Sequence, residues 1–418
     1  MSTVDPLRWP AIANVPTQGR TRRRARKAES EFAYACEQAD LSLEGPEADL
    51  TVLEDALFLR IADAGWLGLA ESYMAGEWLS SNLPHVLQRL LETGYAPKSS
   101  ARPKGLFDAR ATPVDLLRLS AGEGLFGYAS VFSSGVPTTE RVTLTPPGRG
   151  KMKHAQPLSV EVTTLSDPTI VERLDQADAQ ARALSTLLDF ADVGTGTYLA
   201  DLPAQTPAAA LAAIARNATV DVMSCDDELL AELEAVAAQA QGAIEVCALP
   251  GPLPEPGRLR RRFDAVVNVD GVEAMDPGAL KTWLHACEEL LVPGGRVALQ
   301  TLVGTEELKP LDSALDVLRA YLAPGWHGHS MESLLHAMNA RPGLRPQEAL
   351  VFGGHYVEGL RLQRERFEAH AREAAALGFD AVYRRLWIFQ LALKEALLRA
   401  GLLDAVVLSA TLQPRRGV

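Results

Sequence analysis

From about residue 170 the chain alternates between two hydrophobic periods, and this alternation constrains its fold more than any other feature. Helix-like patterns over 171–188, 207–216, 226–240 and 277–291 separate short strand-like runs. Those runs are Phe190-Ala-Asp-Val-Gly194, Ala218–Ser224, Ala243–Ala248, Phe263-Asp-Ala-Val-Val-Asn-Val269 and Arg296–Val303. The run at 263–269 reads as a strand buried on both faces. Helices over 357–376 and 381–400 then lead to a last strand at 405–412. Such alternation implies a largely parallel sheet flanked by helices.

The first 170 residues are organised differently. Residues 1–45 are mixed and polar, with a basic run of Arg22, Arg23, Arg24, Arg26 and Lys27, and read as a partly flexible arm. That run could also touch anionic lipid head groups. Residues 46–105 form a helical module that ends in a linker rich in Pro, Ser and Lys. Residues 106–170 connect it to the remainder, 171–418. Within them Arg141–Thr145 and Leu158–Thr164 alternate with period two around a Pro-Pro-Gly-Arg-Gly turn at 146–150, which predicts a strand pair.

Charge and cysteine usage exclude several classes. Net charge is −12, from 41 basic and 53 acidic residues, so a general nucleic-acid binder is not expected. Cys36, Cys225, Cys247 and Cys287 show no paired spacing and read as reduced thiols of a cytoplasmic protein. The amino terminus lacks the apolar core of a secretion signal. No apolar run reaches the 18 or so residues of a membrane span, so any meeting with lipid is peripheral, at the inner face of the membrane.

Ligands of open parallel sheets sit outside the carboxyl ends of the strands. The first such end is read at Asp192-Val-Gly194-Thr195-Gly196, where glycines allow close backbone approach. Asp226, after the second strand, suits either a ribose hydroxyl or a helix N-cap. Asn268-Val-Asp-Gly-Val-Glu273 closes the buried strand, and Leu290-Leu-Val-Pro-Gly-Gly-Arg-Val-Ala-Leu299 is a helix-to-strand hinge. His327 and His329 lack the further ligands of a metal centre, and none is expected.

The glycine loop, the buried strand and the hinge together resemble class I S-adenosylmethionine-dependent methyltransferases. Gly68-Leu-Ala-Glu-Ser-Tyr-Met-Ala-Gly-Glu-Trp78, Asp316–Gly325, Phe352-Gly-Gly-His-Tyr356, Leu377-Gly-Phe379, Leu386-Trp387 and Arg399–Asp404 narrow the resemblance. They are similar to cyclopropane-fatty-acyl-phospholipid synthases over about 50–95 and 185–412. The resemblance implies an α/β Rossmann-like domain, with a mostly parallel seven-stranded sheet and a smaller helical N-terminal domain. It implies methyl transfer from S-adenosylmethionine to the double bond of an unsaturated phospholipid acyl chain, giving a cyclopropane or a methyl branch. Asp192, Gly194, Thr195, Gly196 and Asp226 would hold the cofactor. Glu273, Gln300 and Tyr356 match the residues around a bicarbonate that serves as base.

The departures from the family are specific. The third glycine of the first loop is Tyr198, no acid follows the third strand at Cys247–Gly251, and the acyl-site His-Tyr-Asp stretch is absent. Only Phe132-Ser-Ser134 approximates the turn that follows it. Two readings result: a divergent lipid methyltransferase, or a catalytically silent paralogue that pairs with an active methyltransferase of the family. The first keeps S-adenosylmethionine and the second loses it; a homo- or hetero-oligomer is expected.

Overall fold

In the computed structural model Phe263–Val269 is a strand buried along nearly its whole length, near the centre of a nine-stranded sheet. The structure describes residues 4–413 apart from 18, 44, 46, 99–112, 123–126, 145–157, 241, 255–261 and 342. Most of the expected linker and the turn at 146–150 lie outside the described residues. The chain divides into a helical unit (1–110, 305–326 and 360–403) and a sheet unit (111–304, 327–359 and 404–418).

The strands of the sheet are β1 (Pro137–Leu144), β2 (Leu158–Leu165), β3 (Tyr198–Asp201), β4 (Thr219–Ser224) and β5 (Ile244–Ala248). They continue with β6 (Phe263–Val269), β7 (Leu291–Gly304), β8 (Leu344–Val351) and β9 (Leu403–Leu412). Their order is β1-β2-β8-β9-β7-β6-β3-β4-β5. The run from β7 through β6, β3 and β4 to β5 is parallel, while β8 and β9 pair antiparallel. The expected parallel α/β architecture is present, with nine strands in place of seven. The two extra strands are the predicted pair: β1 and β2 form an antiparallel hairpin, and β2 joins β8 in parallel register from Glu161↔Glu348 to Thr164↔Val351. Leu158, Val160 and Val162 turn into the core while Ser159 and Glu161 stay exposed. That alternation fixes the register, because a slip of one residue would expose the apolar set.

Two strand assignments change. The residues 190–194 are not a strand. Helix Gln176–Phe190 runs to its end there, Val193 N–H closes on the Leu188 carbonyl at 2.9 Å, and Asp192 takes a left-handed φ of 58°. The first strand of the alternation is instead β3. Strand β8, absent from the sequence reading, carries Pro346 at an irregularity in its pairing with β9. A proline and interspersed charged residues hide its period.

The helical unit gathers Gly19–Gln38, Ala56–Ala64, Trp66–Ala75, Leu83–Glu92 and Ala381–Arg399. Ala381–Arg399 is buried along most of its length and packs on Leu83–Glu92 and Trp66–Ala75. The module is therefore assembled from both ends of the chain, rather than from 46–105 alone. The expected arm at 1–45 is also revised. Thr21, Ala28, Phe32, Ala35 and Cys36 are buried along one face of the helix Gly19–Gln38, so this segment is anchored by packing. Arg60 and Glu77 form a buried ion pair at 3.0 Å, and the same guanidinium donates to the Ile12 carbonyl at 2.6 Å. This double duty compensates a charge that burial alone would penalise.

Gly68 permits the close approach of Trp66–Ala75 to Ala56–Ala64. A Cβ placed there would lie 2.0 Å from the Arg60 carbonyl oxygen, a backbone atom that cannot swing aside. Gly68→Ala is expected to cost about 1–3 kcal/mol or more, read as a lowered midpoint in urea unfolding. An unchanged midpoint would contradict this packing.

Candidate active site

The predicted cofactor residues are at the wrong end of the strand. Asp192, Gly194, Thr195 and Gly196 lie in the connection that enters β3, at its amino end. Gly194 N–H donates to Thr197 Oγ1 at 2.9 Å, and Gly196 N–H to the Asn217 carbonyl at 3.0 Å. Tyr198 opens the strand, and its hydroxyl donates to Asp221 at 2.9 Å. Asp226 caps the helix Asp227–Gln239, accepting from Leu229 N–H at 2.9 Å. The N-cap alternative describes it.

The carboxyl end of β3 is Asp201-Leu202-Pro203-Ala204-Gln205-Thr206-Pro207, which contains no glycine. The Leu202–Pro203 peptide is cis. Leu202 N–H donates to the Val267 carbonyl at 3.0 Å and Ala204 N–H to the Met223 carbonyl at 2.8 Å; Pro203 has no N–H. The Leu202 carbonyl accepts from Asn268 Nδ2 at 3.0 Å and from Trp283 Nε1 at 2.9 Å. Every residue from Asp201 to Ala208 except Gln205 is buried. Asp201 Oδ1 has no hydrogen-bond partner among the described residues, and burial pushes this carboxyl up to about 7.

A polar cluster stands at the carboxyl ends of the neighbouring strands β6 and β7. Its centre is Asp270, a residue the sequence reading did not single out. Asp270 has a left-handed φ of 51° directly before Gly271. Its Oδ1 accepts from Gln300 Nε2 at 3.3 Å and from the Tyr356 hydroxyl at 3.4 Å. Its Oδ2 accepts from Tyr128 N–H at 3.2 Å. Glu273 is buried beside it and accepts from Thr301 Oγ1 at 2.7 Å, while its backbone carbonyl accepts from His327 N–H. Tyr356 is pushed well above the usual phenol range, by burial first and then by Asp270 and Glu273. Glu273, Gln300 and Tyr356 therefore do come together, around a carboxylate supplied by the chain. An aspartate beside a glycine at a strand end was the available signal.

The remaining candidates are structural. His355 Nδ1 accepts from Phe132 N–H at 2.9 Å and its Nε2 faces the Ser166 carbonyl at 3.0 Å. This fixes a neutral tautomer, and burial lowers the imidazole pKa accordingly. Ser134 Oγ accepts from Thr169 N–H. His329 bonds the Met275 carbonyl, and no metal-holding group of three His, Cys, Asp or Glu occurs among the described residues.

Residues 172–408 match the family described as mycolic acid cyclopropane synthetase. The chain belongs to this family of S-adenosylmethionine-dependent methyltransferases. It is 27% identical to tuberculostearic acid methyltransferase UfaA1 of Mycobacterium tuberculosis, over 96% of this chain and 95% of that one. Among solved structures it is similar to the cyclopropane synthase MmaA2 of the same organism, with a TM-score of 0.56 and 16% identity. That match spans 75% of this chain and all of the other. It is also similar to coclaurine N-methyltransferase bound to N-methylheliamine and S-adenosylhomocysteine, with a TM-score of 0.56 and 13% identity, over 83% and 99% of the two chains.

The residues at the strand ends do not fit S-adenosylmethionine held in the manner of a glycine loop. Such a loop offers free backbone N–H groups and lets the ligand approach because no side chain intervenes. Here the Leu202 and Ala204 N–H groups are spent on sheet carbonyls, and side chains fill the positions that follow Asp201. Asp201 Oδ1 and Gln300 Oε1 are buried acceptors without a hydrogen-bond partner among the described residues, and burial raises the Asp201 carboxyl to about 7, so that it is about half protonated at neutrality. The donors expected for bicarbonate are likewise directed at Asp270.

The state of Asp201 gives a pH dependence of stability. Its folded pKa of about 7 lies above the ordinary 3.8, so between these values the folded state holds a proton that the unfolded state has lost. Its contribution to stability is fullest below pH 3.8 and declines until about pH 7. Asp201→Asn should remove that decline and raise stability at pH 8 by on the order of 4 kcal/mol, measured by urea unfolding from pH 5 to 8. A variant with the wild-type slope would contradict this environment for Asp201.

Proposed function

We propose that this chain is a catalytically silent member of its family, serving as a subunit or regulator of an active methyltransferase of the same family. One observation carries the reading: the segment after Asp201 is glycine-free and buried apart from Gln205, and its Leu202 and Ala204 N–H groups are bonded to sheet carbonyls. The family's cofactor requires the opposite at that place. The similarity to tuberculostearic acid methyltransferase extends over nearly the whole of both chains, which supports a retained family surface despite the altered strand end. The partner would be an enzyme that methylates acyl chains.

The divergent-methyltransferase reading draws support from one feature, the cluster of Asp270, Glu273, Gln300 and Tyr356 at the expected place. Under that reading the substrate is an unsaturated phospholipid acyl chain at the membrane surface. Asp270 would then hold the place expected for bicarbonate.

Co-expression with an active family methyltransferase separates the two. The silent reading expects a hetero-oligomer of defined mass by light scattering, and no methylated or cyclopropanated acyl chains from this chain alone. Product formed by the purified chain from S-adenosylmethionine and unsaturated phospholipid vesicles would overturn it, as would failure to associate with any family member.

A further inference from the structure

The first half of the helix Gly19–Gln38 concentrates positive charge, with six basic residues from Arg20 to Lys27, and the helix's acidic residues Glu29, Glu31 and Glu37 all follow in its second half. Arg22, Arg23, Arg26 and Lys27 are all exposed. Their spacing places them on one side of the helix, opposite the face that buries Thr21, Ala28 and Phe32. Arg24, nearer the buried face, is fastened instead to the Ala62 carbonyl at 2.6 Å.

Three features make this arrangement unfavourable in isolation. Arg22 with Arg26, and Arg23 with Lys27, are like charges one turn apart. They lie in the first turns of the helix, where the macrodipole is positive, and no acidic residue occupies the first turn. Lys27 pairs with Glu31 at 3.2 Å, but Arg22, Arg23 and Arg26 make no ion pair among the described residues. Further along the same outer face Tyr34 is 62% exposed. It lies two turns beyond Lys27, and an exposed ring with a polar tip suits the head-group layer of a membrane, where its body meets apolar atoms and its hydroxyl meets water.

We propose that this outer face is a docking surface for an anionic lipid bilayer. Charge complementarity selects the occupant. Residues 1–30 carry seven basic and two acidic side chains, a net of +5, against −12 for the whole chain. The remaining residues thus carry −17, which opposes wrapping by an extended polyanion such as nucleic acid. A planar anionic surface engages the helix while leaving most of the acidic remainder in solvent. The inference is independent of cofactor binding: a silent subunit and an active enzyme would both use it to reach lipid.

The full chain is tested by co-sedimentation with vesicles of phosphatidylcholine alone and of phosphatidylcholine mixed with phosphatidylglycerol. Binding is expected to the mixed vesicles only, and to weaken as salt is raised. The triple variant Arg22→Glu, Arg23→Glu, Arg26→Glu should lose roughly 100-fold or more in partitioning, from about fivefold per basic residue removed. The triple Lys variant should retain binding, and circular dichroism checks that each variant is folded. Should the Glu variant fail to fold, the triple Gln variant and the salt dependence of the wild-type chain carry the test. Equal binding to both vesicle types, binding unchanged by loss of the three charges, no binding at all, or tighter binding to duplex DNA than to the mixed vesicles would each overturn the proposal.

Discussion

The chemistry open to this chain depends on how the backbone leaves β3. In a nucleotide-binding sheet that backbone turns away from the strand and presents unpaired N–H groups to a ligand. Here Leu202 and Ala204 return their N–H groups to neighbouring strands, and the Leu202 carbonyl is held by both Asn268 and Trp283. The Leu202 N–H and carbonyl and the Ala204 N–H thus find partners within the protein, as burial requires. Satisfaction of the interior and openness to a ligand compete for the same atoms, and at this position the interior has won.

The neighbouring cluster follows the same logic. Gln300, the Tyr356 hydroxyl and Tyr128 N–H converge on Asp270, a carboxylate belonging to the chain. Glu273 is engaged with Thr301. The donors of the cluster are taken up by an internal carboxylate, which lessens the need for an external anion, while Gln300 Oε1 stays a buried acceptor without a partner among the described residues. The family's residue types can therefore persist at these positions for reasons of stability alone.

Much of the architecture was legible in the sequence because it is carried by long-range periodicity. The buried strand Phe263–Val269, the hairpin alternation at 141–164 and the helix Ala381–Arg399 each show the pattern that their burial requires. The convergence of Glu273, Gln300 and Tyr356 was also legible, through the family resemblance. The cofactor loop was not. Asp192-Val-Gly-Thr-Gly has the composition of a ligand loop, yet it only terminates a helix and enters a strand. Position within the sheet is a tertiary fact, and a glycine pair reads the same at either end of a strand. Strand β8 was missed because Pro346 and its charged neighbours break the alternation. The ordered helix at 19–38 was obscured by its arginines, whose charge outweighed the spaced apolar residues of its inner face.

Calorimetric titration of the purified chain with S-adenosylmethionine and S-adenosylhomocysteine tests the closed strand end most directly. No binding heat is expected for either ligand up to millimolar concentration. Saturable binding at micromolar concentration would contradict it, and would require the Asp201–Pro207 segment to open around the cofactor.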